Sequence, residues 1–398
     1  MTTTLQTVRA TRPVSLAVQQ SDLCRALVVI HPSVSSRPTL PVLSNVLLTV
    51  DARGLTLTGY DLEVAIRHTI PSVHGGAYGS VAVPYALMAQ FVKTFKEGEL
   101  QLDFTGEDDL VISGSTHQYT LSGAPGEDYP DVPAIPIEQL ATAWQFIVPM
   151  DELRRGLNRT LFATAREASR AFTSGLHLCP VEGDGGRVRL VATDGRRLAM
   201  DEIRAEHADL NAQHCANIPA RIMDHLLMKS FPSGKTSGGE LASFTVGERL
   251  ALIEWGDTQV LTHLLDAQFP DYNKVIPQHF TGSITLSRAD LLDAVRVVSL
   301  VARQKEGRDM AIMSTDGNRL TITARVDSVG TARKEVYCEQ SGTDLKIAFN
   351  YQYLADFCKY ATCEEVTLKY AGQVDPGCLG SGGSDPYTYV LMPVRLMD

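Results

Sequence analysis

The chain has 398 residues, of which 44% are hydrophobic and 21% are charged, so it is long enough for several domains with separate apolar cores. Its formal charge is −10, from 46 acidic and 36 basic residues, which excludes a protein whose whole surface attracts a polyanion. Any contact with nucleic acid must therefore come from locally basic faces.

The sequence also argues against membrane and metal-binding proteins. The longest apolar runs, such as residues 27–30, fall well short of the roughly 18 residues that a membrane span needs, and the N-terminus lacks a signal-peptide pattern. We therefore expect a cytoplasmic protein without membrane contact. The seven cysteines form neither a Cys-x-x-Cys pair nor a cluster with histidine along the sequence, so we expect buried or idle thiols and neither a metal nor a cofactor.

The first predicted elements follow a polar N-terminal dozen residues. Val18, Leu23 and Leu27 form the apolar face of a helix, and the alternating run at 55–59 predicts a half-buried strand. A second amphipathic helix starts at Pro84 and precedes a strand at 99–104. Its apolar stripe consists of Leu87, Met88, Phe91 and Val92.

The same order of elements returns in the middle of the chain. Val148, Leu153 and Leu157 form the face of a helix, with Pro149 suited to its first turn. A strand at 188–192, with a glycine-rich turn at 184–186 before it, predicts an antiparallel hairpin. The next helix starts at Pro219, with the stripe Ile222, Met223, Leu226 and Leu227, and a strand follows at 240–246.

The order returns once more near the C-terminus. Leu286, Leu291 and Val295 form the helix face, and Ser287 with Asp290 makes an S-x-x-D capping box. Strands are predicted at 320–324 and 365–370. Between them a helix starts at Asn350, its expected N-cap, with the stripe Tyr353, Leu354, Phe357 and Cys358.

The three sets of elements recur with a period of roughly 130 residues, which indicates an internal repeat. We therefore predict an α+β fold of three repeated domains, each with two helices packed on antiparallel sheet. Proline-rich junctions near 134–137 and 276–278 set the predicted boundaries at 14–140, 141–279 and 280–398.

Five segments, in order along the chain, resemble one family. They are RPTLPVLSN (37–45), LTGYDLE (57–63), ATDGRRLA (192–199), FPDY (269–272) and YVLMPVRL (389–396). Together they resemble the beta subunit of bacterial DNA polymerase III, the beta sliding clamp. The resemblance implies clamp-fold domains, three per chain, in a head-to-tail homodimer whose six-domain ring encircles duplex DNA. It also implies a processivity factor for the replicative polymerase rather than an enzyme.

The resemblance assigns the ring contact to two pairs of residues. Tyr119 and Leu121 of the first domain would meet Leu300 and Val301 of the third domain in the other chain. Ordinary strand and helix core positions are the alternative for these four.

A clamp that slides over any sequence should contact phosphates rather than bases. The helix faces opposite the apolar stripes carry suitable arginines, namely Arg25, Arg154, Arg155, Arg159, Arg221 and Arg296. Motif position adds Arg37 and Arg170. Around Arg170 the sequence departs from the family pattern, because only Phe172 keeps an aromatic residue there. A solvated helix face with mixed charge is the alternative.

The resemblance also implies a groove between the second and third domains that accepts linear motifs of polymerases, the clamp loader and repair proteins. These motifs offer a glutamine, then leucine and aromatic anchors. Apolar walls and polar groups would come from Thr173, Thr193, Gly195, Arg196, Arg197, Leu198, Pro270, Lys274, Val275, Asn350, Tyr353, Val390, Leu391, Met392, Pro393, Val394, Arg395 and Leu396. Arg197 and Asn350 are expected to hydrogen-bond the peptide. A buried terminal strand is the alternative for residues 390–392, and the helix N-cap is the alternative for Asn350. Arg196 replaces a histidine common in the family, and Met397 and Asp398 extend past the usual end.

Enzymatic alternatives lack a motif. Gly234-Lys-Thr is not a phosphate-binding loop, because Lys229 stands where that loop needs glycine. We find no catalytic constellation and predict no catalytic residue. Two alternatives stay open: a duplicate clamp that serves drug tolerance or a mobile element, and a hydrolase or nucleotide-binding enzyme on repeated α+β domains.

Overall fold

The protein is described by a computed structural model. It covers residues 14–35, 37–71, 79–105, 108–133, 143–165, 171–181, 186–209, 215–225, 240–304, 309–327, 329–381 and 385–396. Arg170, Leu226, Leu227, the turn at 184–185 and the two C-terminal residues lie outside them. Within these ranges, no helix is both long and apolar enough to cross a membrane.

The described ranges contain six α-helices, two in each repeat, as the sequence predicts. They are α1 Gln20–Ile30, α2 Tyr85–Thr94, α3 Met150–Thr160, α4 Ala220–His225, α5 Arg288–Ala302 and α6 Tyr351–Tyr360. Predicted caps are confirmed at two of them, because Ser287 accepts a hydrogen bond from the Asp290 amide and Asn350 accepts one from the Gln352 amide.

The strands follow the same threefold order. The first repeat has β1 Val14–Gln19, β2 Asn45–Asp51, β3 Gly54–Tyr60, β4 Val64–Pro71, β5 Gly79–Pro84, β6 Glu99–Phe104, β7 Asp109–Ser113, β8 Gln118–Ser122 and β9 Ala124–Pro125. The second has β10 Trp144–Pro149, β11 Gly175–Pro180, β12 Arg187–Thr193, β13 Arg197–Arg204, β14 His207–Asp209, β15 Ala216–Pro219, β16 Leu241–Val246, β17 Leu250–Trp255 and β18 Thr258–His263. The third has β19 Gly282–Ser287, β20 Met310–Asp316, β21 Arg319–Val326, β22 Gly330–Tyr337, β23 Glu339–Gly342, β24 Lys346–Asn350, β25 Glu365–Tyr370, β26 Gly377–Gly380 and β27 Thr388–Leu391.

Each repeat opens with a strand that the sequence analysis missed. Val18, Val148 and Leu286, assigned to helix faces, lie on β1, β10 and β19. The expectation that Pro149 lies in the first helical turn is therefore wrong, since it is the last residue of β10. In each repeat a buried strand runs directly into a helix. Apolar residues recur every second position in the strand and every third or fourth position in the helix, so the sequence does not show where the strand ends.

The chain divides into two compact units, residues 1–150 with 205–264 (unit 1) and residues 151–204 with 265–398 (unit 2). Unit 1 has sheets ordered β1-β6-β7-β8 and β14-β10-β16-β17-β18-β4-β3-β2-β5-β9. Unit 2 has one sheet ordered β22-β21-β20-β24 and another that includes β11-β12-β13-β27-β26-β25-β19-β23.

Antiparallel strands, as predicted, build both units, and each unit contains one junction between repeats. In unit 1, β4 of the first repeat pairs with β18 of the second. In unit 2, β13 of the second repeat pairs with β27 of the third. Among the described residues, β8 pairs only with β7, and β22 only with β21.

The helices pack their apolar faces on these sheets. In α1, Leu23 and Leu27 are buried, and in α6, Leu354, Phe357 and Cys358 are buried. The predicted stripe of α2 is only partly right: Met88 and Val92 are buried, but Leu87 is 45% exposed. Helix α3 approaches its sheet closely at Gly156, where an added Cβ would lie 2.5 Å from a methyl group of Ile203.

The expectation of buried or idle thiols is wrong for Cys179 and Cys215, each of which is disulfide-bonded. Cys24, Cys338, Cys358, Cys363 and Cys378 are free.

Candidate functional site

An apolar cluster marks the junction in unit 2. Leu198 on β13 lies opposite Val390 on β27, and both pack with Val191 and Tyr272. We call these four residues the floor of the junction. Tyr272 begins a short 3-10 helix over Tyr272–Lys274 that Asp271 caps by accepting a hydrogen bond from the Asn273 amide. All four residues are at most 9% exposed, so the floor lies beneath the surface of the junction.

Exposed apolar side chains follow directly on the same segments. Val275, Met392 and Val394 are 40%, 42% and 38% exposed. The chain that carries the last two is fixed by its backbone, because the Met392 amide donates to the Arg196 carbonyl and the Val394 amide to the Ala348 carbonyl. Exposed apolar groups on a fixed backbone, beside a buried apolar floor, form the kind of surface that binds hydrophobic anchors.

Arg197 is expected to hydrogen-bond a peptide, but its guanidinium already has internal partners. Nη1 lies 2.7 Å from Asp356, Nη2 2.5 Å from the Phe162 carbonyl, and Nε 3.0 Å from Asp194. The ring of Tyr353 lies 4.3 Å from the guanidinium carbon.

Burial alone would lower the pKa of Arg197, but Tyr389, Asp356 and Asp194 together raise it above the usual value. With 9% of its side chain exposed, the residue is built into the junction as a fixed cation. It shapes the wall of the site through Tyr353, and four of its five N–H donors have partners within unit 2.

The other predicted groove residues divide into buried and exposed groups. Thr173, Thr193, Leu198, Val390 and Leu391 are buried, whereas Gly195, Arg196, Pro270, Lys274 and Arg395 are exposed. Tyr353, Asn350, Pro393 and Leu396 are intermediate. Asn350 uses its side-chain oxygen to cap α6, although its amide nitrogen has no hydrogen-bond partner among the described residues.

The turn before β13 explains why Thr193 and Gly195 belong to this site. The Asp194 carboxylate accepts hydrogen bonds from the amides of Arg196 and Arg197, and Gly195 has φ 86°. Glycine adopts that left-handed conformation without strain. Thr193 donates its hydroxyl to the Arg197 carbonyl, which closes the turn.

The junction in unit 1 repeats this geometry with different side chains. Asp61 caps the amides of Glu63 and Val64, and Leu62 has φ 75°. Ala65 lies opposite Leu261 just as Leu198 lies opposite Val390.

The position of Thr193 is taken by Tyr60 in unit 1. Tyr60 packs in a buried cluster with Leu47, Ala65, Ala82, Tyr129, Leu250 and Leu261, and Val132 packs against this cluster. The residue two positions after Leu261 is His263, where unit 2 has Met392. Of the two junctions, as far as the structure describes them, only that of unit 2 combines exposed Val275, Met392 and Val394 with an apolar floor.

The arginines predicted to contact DNA differ in their exposure and in their ion pairs. Arg37 and Arg296 are exposed and have no ion pair among the described residues. Arg25 lies 3.5 Å from Asp22, and Arg221 lies 2.8 Å from Glu63, with side chains 66% and 51% exposed. Such exposed pairs are weak and can exchange for phosphate.

Two arginines of α3 are committed elsewhere. Arg155 lies 2.6 Å from Asp201 and 2.7 Å from Glu152, and it donates to the Glu202 carbonyl. Arg159 is expected on the solvent-facing side of its helix, and that expectation is wrong, because the residue is 5% exposed. Arg154 keeps 26% of its side chain exposed. DNA contact by this helix stays a prediction.

The fully buried Asp201 is the titratable group that the sequence analysis missed. It lies on β13 between Arg155 and Arg159, at 2.6 Å and 3.6 Å. Burial raises the pKa of Asp201 to about 6 although both arginines lower it. No sequence motif marks this group, because its partners lie far apart in the chain.

A strand and a helix carry the residues predicted at the ring contact. On β8, Tyr119 is half-buried and stacks on Phe91 at 4.0 Å between ring centroids, while Leu121 is 3% exposed. On α5, which packs over β22, Leu300 is 55% exposed and Val301 is half-buried. Leu300 is thus the most accessible apolar group of the four.

The three repeats of two helices on antiparallel strands define a protein built from three clamp domains. Family models of the DNA polymerase III beta subunit match all three: the N-terminal domain at 14–133, the central domain at 147–271 and the C-terminal domain at 273–395. The chain therefore belongs to the DNA polymerase III beta subunit family, which confirms the resemblance found in the sequence.

Individual relatives cover nearly the whole chain. The beta sliding clamp of Synechocystis sp. is 28% identical over 402 residues, covering 96% of this chain and all of that protein. A sliding clamp of Pseudomonas aeruginosa, solved with bound griselimycin, is 27% identical with a TM-score of 0.84, covering 96% of this chain and 99% of that one. The Bacillus subtilis sliding clamp, 21% identical with a TM-score of 0.86 and covering 96% and 99% of the two chains, shares the fold.

Proposed function

We propose that the chain is a DNA polymerase processivity factor. Two copies form a ring around duplex DNA, and the groove of each tethers the replicative polymerase and other partners without chemical action on the DNA. The observation that carries this proposal is the junction of unit 2, with its buried floor and its exposed Val275, Met392 and Val394. The ring, the partners and a cytoplasmic location are all part of the proposal.

Ring closure is supported by the pairing order of the strands. The two junctions within the chain join β4 to β18 and β13 to β27, each time the fourth strand of one repeat to the third strand after the second helix of the next. The strands left over in these roles are β22 of the third repeat and β8 of the first. A second copy placed head to tail would pair them twice and close the assembly.

An unpaired strand edge favours association with other chains, so closing the ring also protects the protein from aggregation. Leu300 would then contact Tyr119 and Leu121 of the partner at the same junction. Size-exclusion chromatography tests this directly, since the proposal predicts a particle of twice the 43.4 kDa chain mass. A particle of the single chain mass at micromolar concentration would contradict it.

Partner binding is tested at the groove. Deleting residues 394–398 removes the Val394 rim, so we expect a peptide with a glutamine, a leucine and an aromatic residue to lose measurable affinity while the dimer persists. Fluorescence anisotropy of the labelled peptide measures the affinity. Normal affinity in the deletion variant would show that the groove lies elsewhere.

DNA contact rests on charge rather than on sequence recognition. Arg37 and Arg296 are the exposed arginines of the predicted set that have no ion pair among the described residues, so charge reversal at both should weaken retention on DNA at low salt. Because phosphate contacts release counterions, the loss should shrink as salt rises. A loss that does not depend on salt would argue against phosphate contact.

A further inference from the structure

Arg159 is a buried charge that the proposed function does not yet use. It lies in the last turn of α3 with 6% of its side chain exposed, 5.0 Å from the ring centroid of Tyr387. A buried guanidinium is costly unless it is paired on several sides. Its partners come from three separate segments of unit 2.

The first partner fixes the chain that enters β27. Arg159 Nη1 lies 3.0 Å from Asp385 Oδ1. The same carboxylate accepts the Tyr387 amide at 3.1 Å and the Ser381 hydroxyl at 2.6 Å. Strand β27 starts one residue after Tyr387, so this carboxylate fixes the backbone directly before the strand.

The remaining partners lie on, or just beyond, the segments that carry other predicted groove residues. Arg159 Nη2 donates to the hydroxyl of Thr362, two residues past the end of α6, which carries Asn350 at its N-cap and Tyr353. Asp201, 3.6 Å from the guanidinium, lies on β13 beyond Leu198. One side chain therefore joins β13, the end of α6 and the start of β27.

We propose that Arg159 is a positioning residue for the peptide groove. It contacts no peptide but holds the three segments that form the groove in register before a partner arrives. A site fixed in advance loses less conformational entropy on binding, so its affinity is higher. This inference rests on the proposed partner groove and adds a residue that no motif marks.

The test uses the full-length chain and three variants around Arg159. R159M removes the charge, R159K keeps a charge that can reach fewer acceptors at once, and D385N weakens the contact to β27 alone. Affinity for the glutamine, leucine and aromatic peptide is measured by fluorescence anisotropy. Hydrogen exchange of residues 387–392 is measured without peptide.

Two control variants separate positioning from general stability. R187M removes an arginine of β12 that pairs with Glu202 on β13, four residues beyond Leu198. F244L removes buried volume from β16 in unit 1 and lowers stability away from the groove. Size-exclusion chromatography and circular dichroism confirm that each variant is folded.

We expect R159M to weaken peptide binding by about tenfold and R159K and D385N by less, while both controls stay within about twofold of the original chain. Exchange at 387–392 should accelerate in R159M and not in F244L. Peptide affinity in folded R159M equal to that of the original chain would overturn the inference and leave the groove standing. Absence of peptide binding by the original chain would instead overturn the proposed groove, and the inference with it. If R159M does not fold, R159K and D385N decide by the same measures.

Discussion

Asp201 offers a test of the buried network through its response to pH. Its pKa rises from 3.8 to about 6 on folding, because the carboxylate is fully buried. The native chain therefore holds a proton on Asp201 at pH values where the unfolded chain has lost it. One pKa unit corresponds to 1.36 kcal/mol, so this group changes the free energy of unfolding by up to about 3 kcal/mol.

The sign follows from which state binds the proton. Since the pKa in the folded state is the higher one, the contribution of Asp201 to stability is fully present below about pH 4 and is lost as the pH rises through 6. Asp385 and Glu152 act in the opposite sense: hydrogen bonds and nearby arginines outweigh burial and hold their pKa values below the usual ones. Their stabilisation is lost only in more acidic solution, so the windows are separate.

The assay compares urea unfolding of the original chain and D201N from pH 4.5 to pH 7.5, with D316N as an exposed control. The difference in free energy of unfolding between the original chain and D201N should grow in favour of the original chain as the pH falls from 7 towards 4.5. Infrared spectroscopy should show a protonated carboxyl band with a midpoint near pH 6 that D201N lacks. The raised pKa of Asp201 would be refuted if the free energies of unfolding of the original chain and D201N differed by the same amount at every pH and the infrared band were absent.

Three further outcomes follow from the same contacts. Leu300→Asp should dissociate the dimer into single chains in size-exclusion chromatography, because it places a charge at an apolar contact, and an unchanged dimer would move the interface away from α5. Gly156→Val should lower the free energy of unfolding by about 2 kcal/mol, because its side chain would clash with Ile203, and thermal denaturation equal to the original chain would contradict the close packing. Ser287→Ala should cost about 1 kcal/mol through loss of the cap, whereas Ser287→Asp, which can still cap, should cost less; equal losses in urea unfolding would count against a capping role.

The sequence predicts the elements of the fold well where one period dominates. Strands β6 and β25 match the predicted ranges, and α2 and α6 begin one residue after the predicted start, because each has a single clear pattern. The start of each repeat could not be resolved, since Val18 and Leu23 read as one helix although a strand ends between them. The exposure of Leu87 shows a related limit of sequence-based prediction. Helical spacing predicts the side of the helix on which a residue lies, but the surface packed against the helix determines whether that residue is buried.

The candidate site was predictable where residues are close in sequence. The groove segments 192–199, 269–272 and 389–396 carry recognisable motifs. The role of Arg197 inside the wall depends on Asp356 and Phe162, which lie far from it in the chain, so spacing could not indicate it. Arg159 is the clearest case: on a helical wheel it lies with the polar residues, yet Asp385 and Asp201 make a buried position favourable.

The most direct test of the account is the way the protein holds DNA. A clamp loader should place the dimer on nicked circular DNA, and the complex should survive a wash at 0.5–1 M salt, on the order of ionic strengths that screen direct phosphate binding. Linearising the circle should then release the protein within minutes by sliding off the ends, and blocked ends should prevent the release. A topological link would be contradicted if the protein stayed on the DNA after linearisation with free ends, or if it dissociated from intact circles in salt.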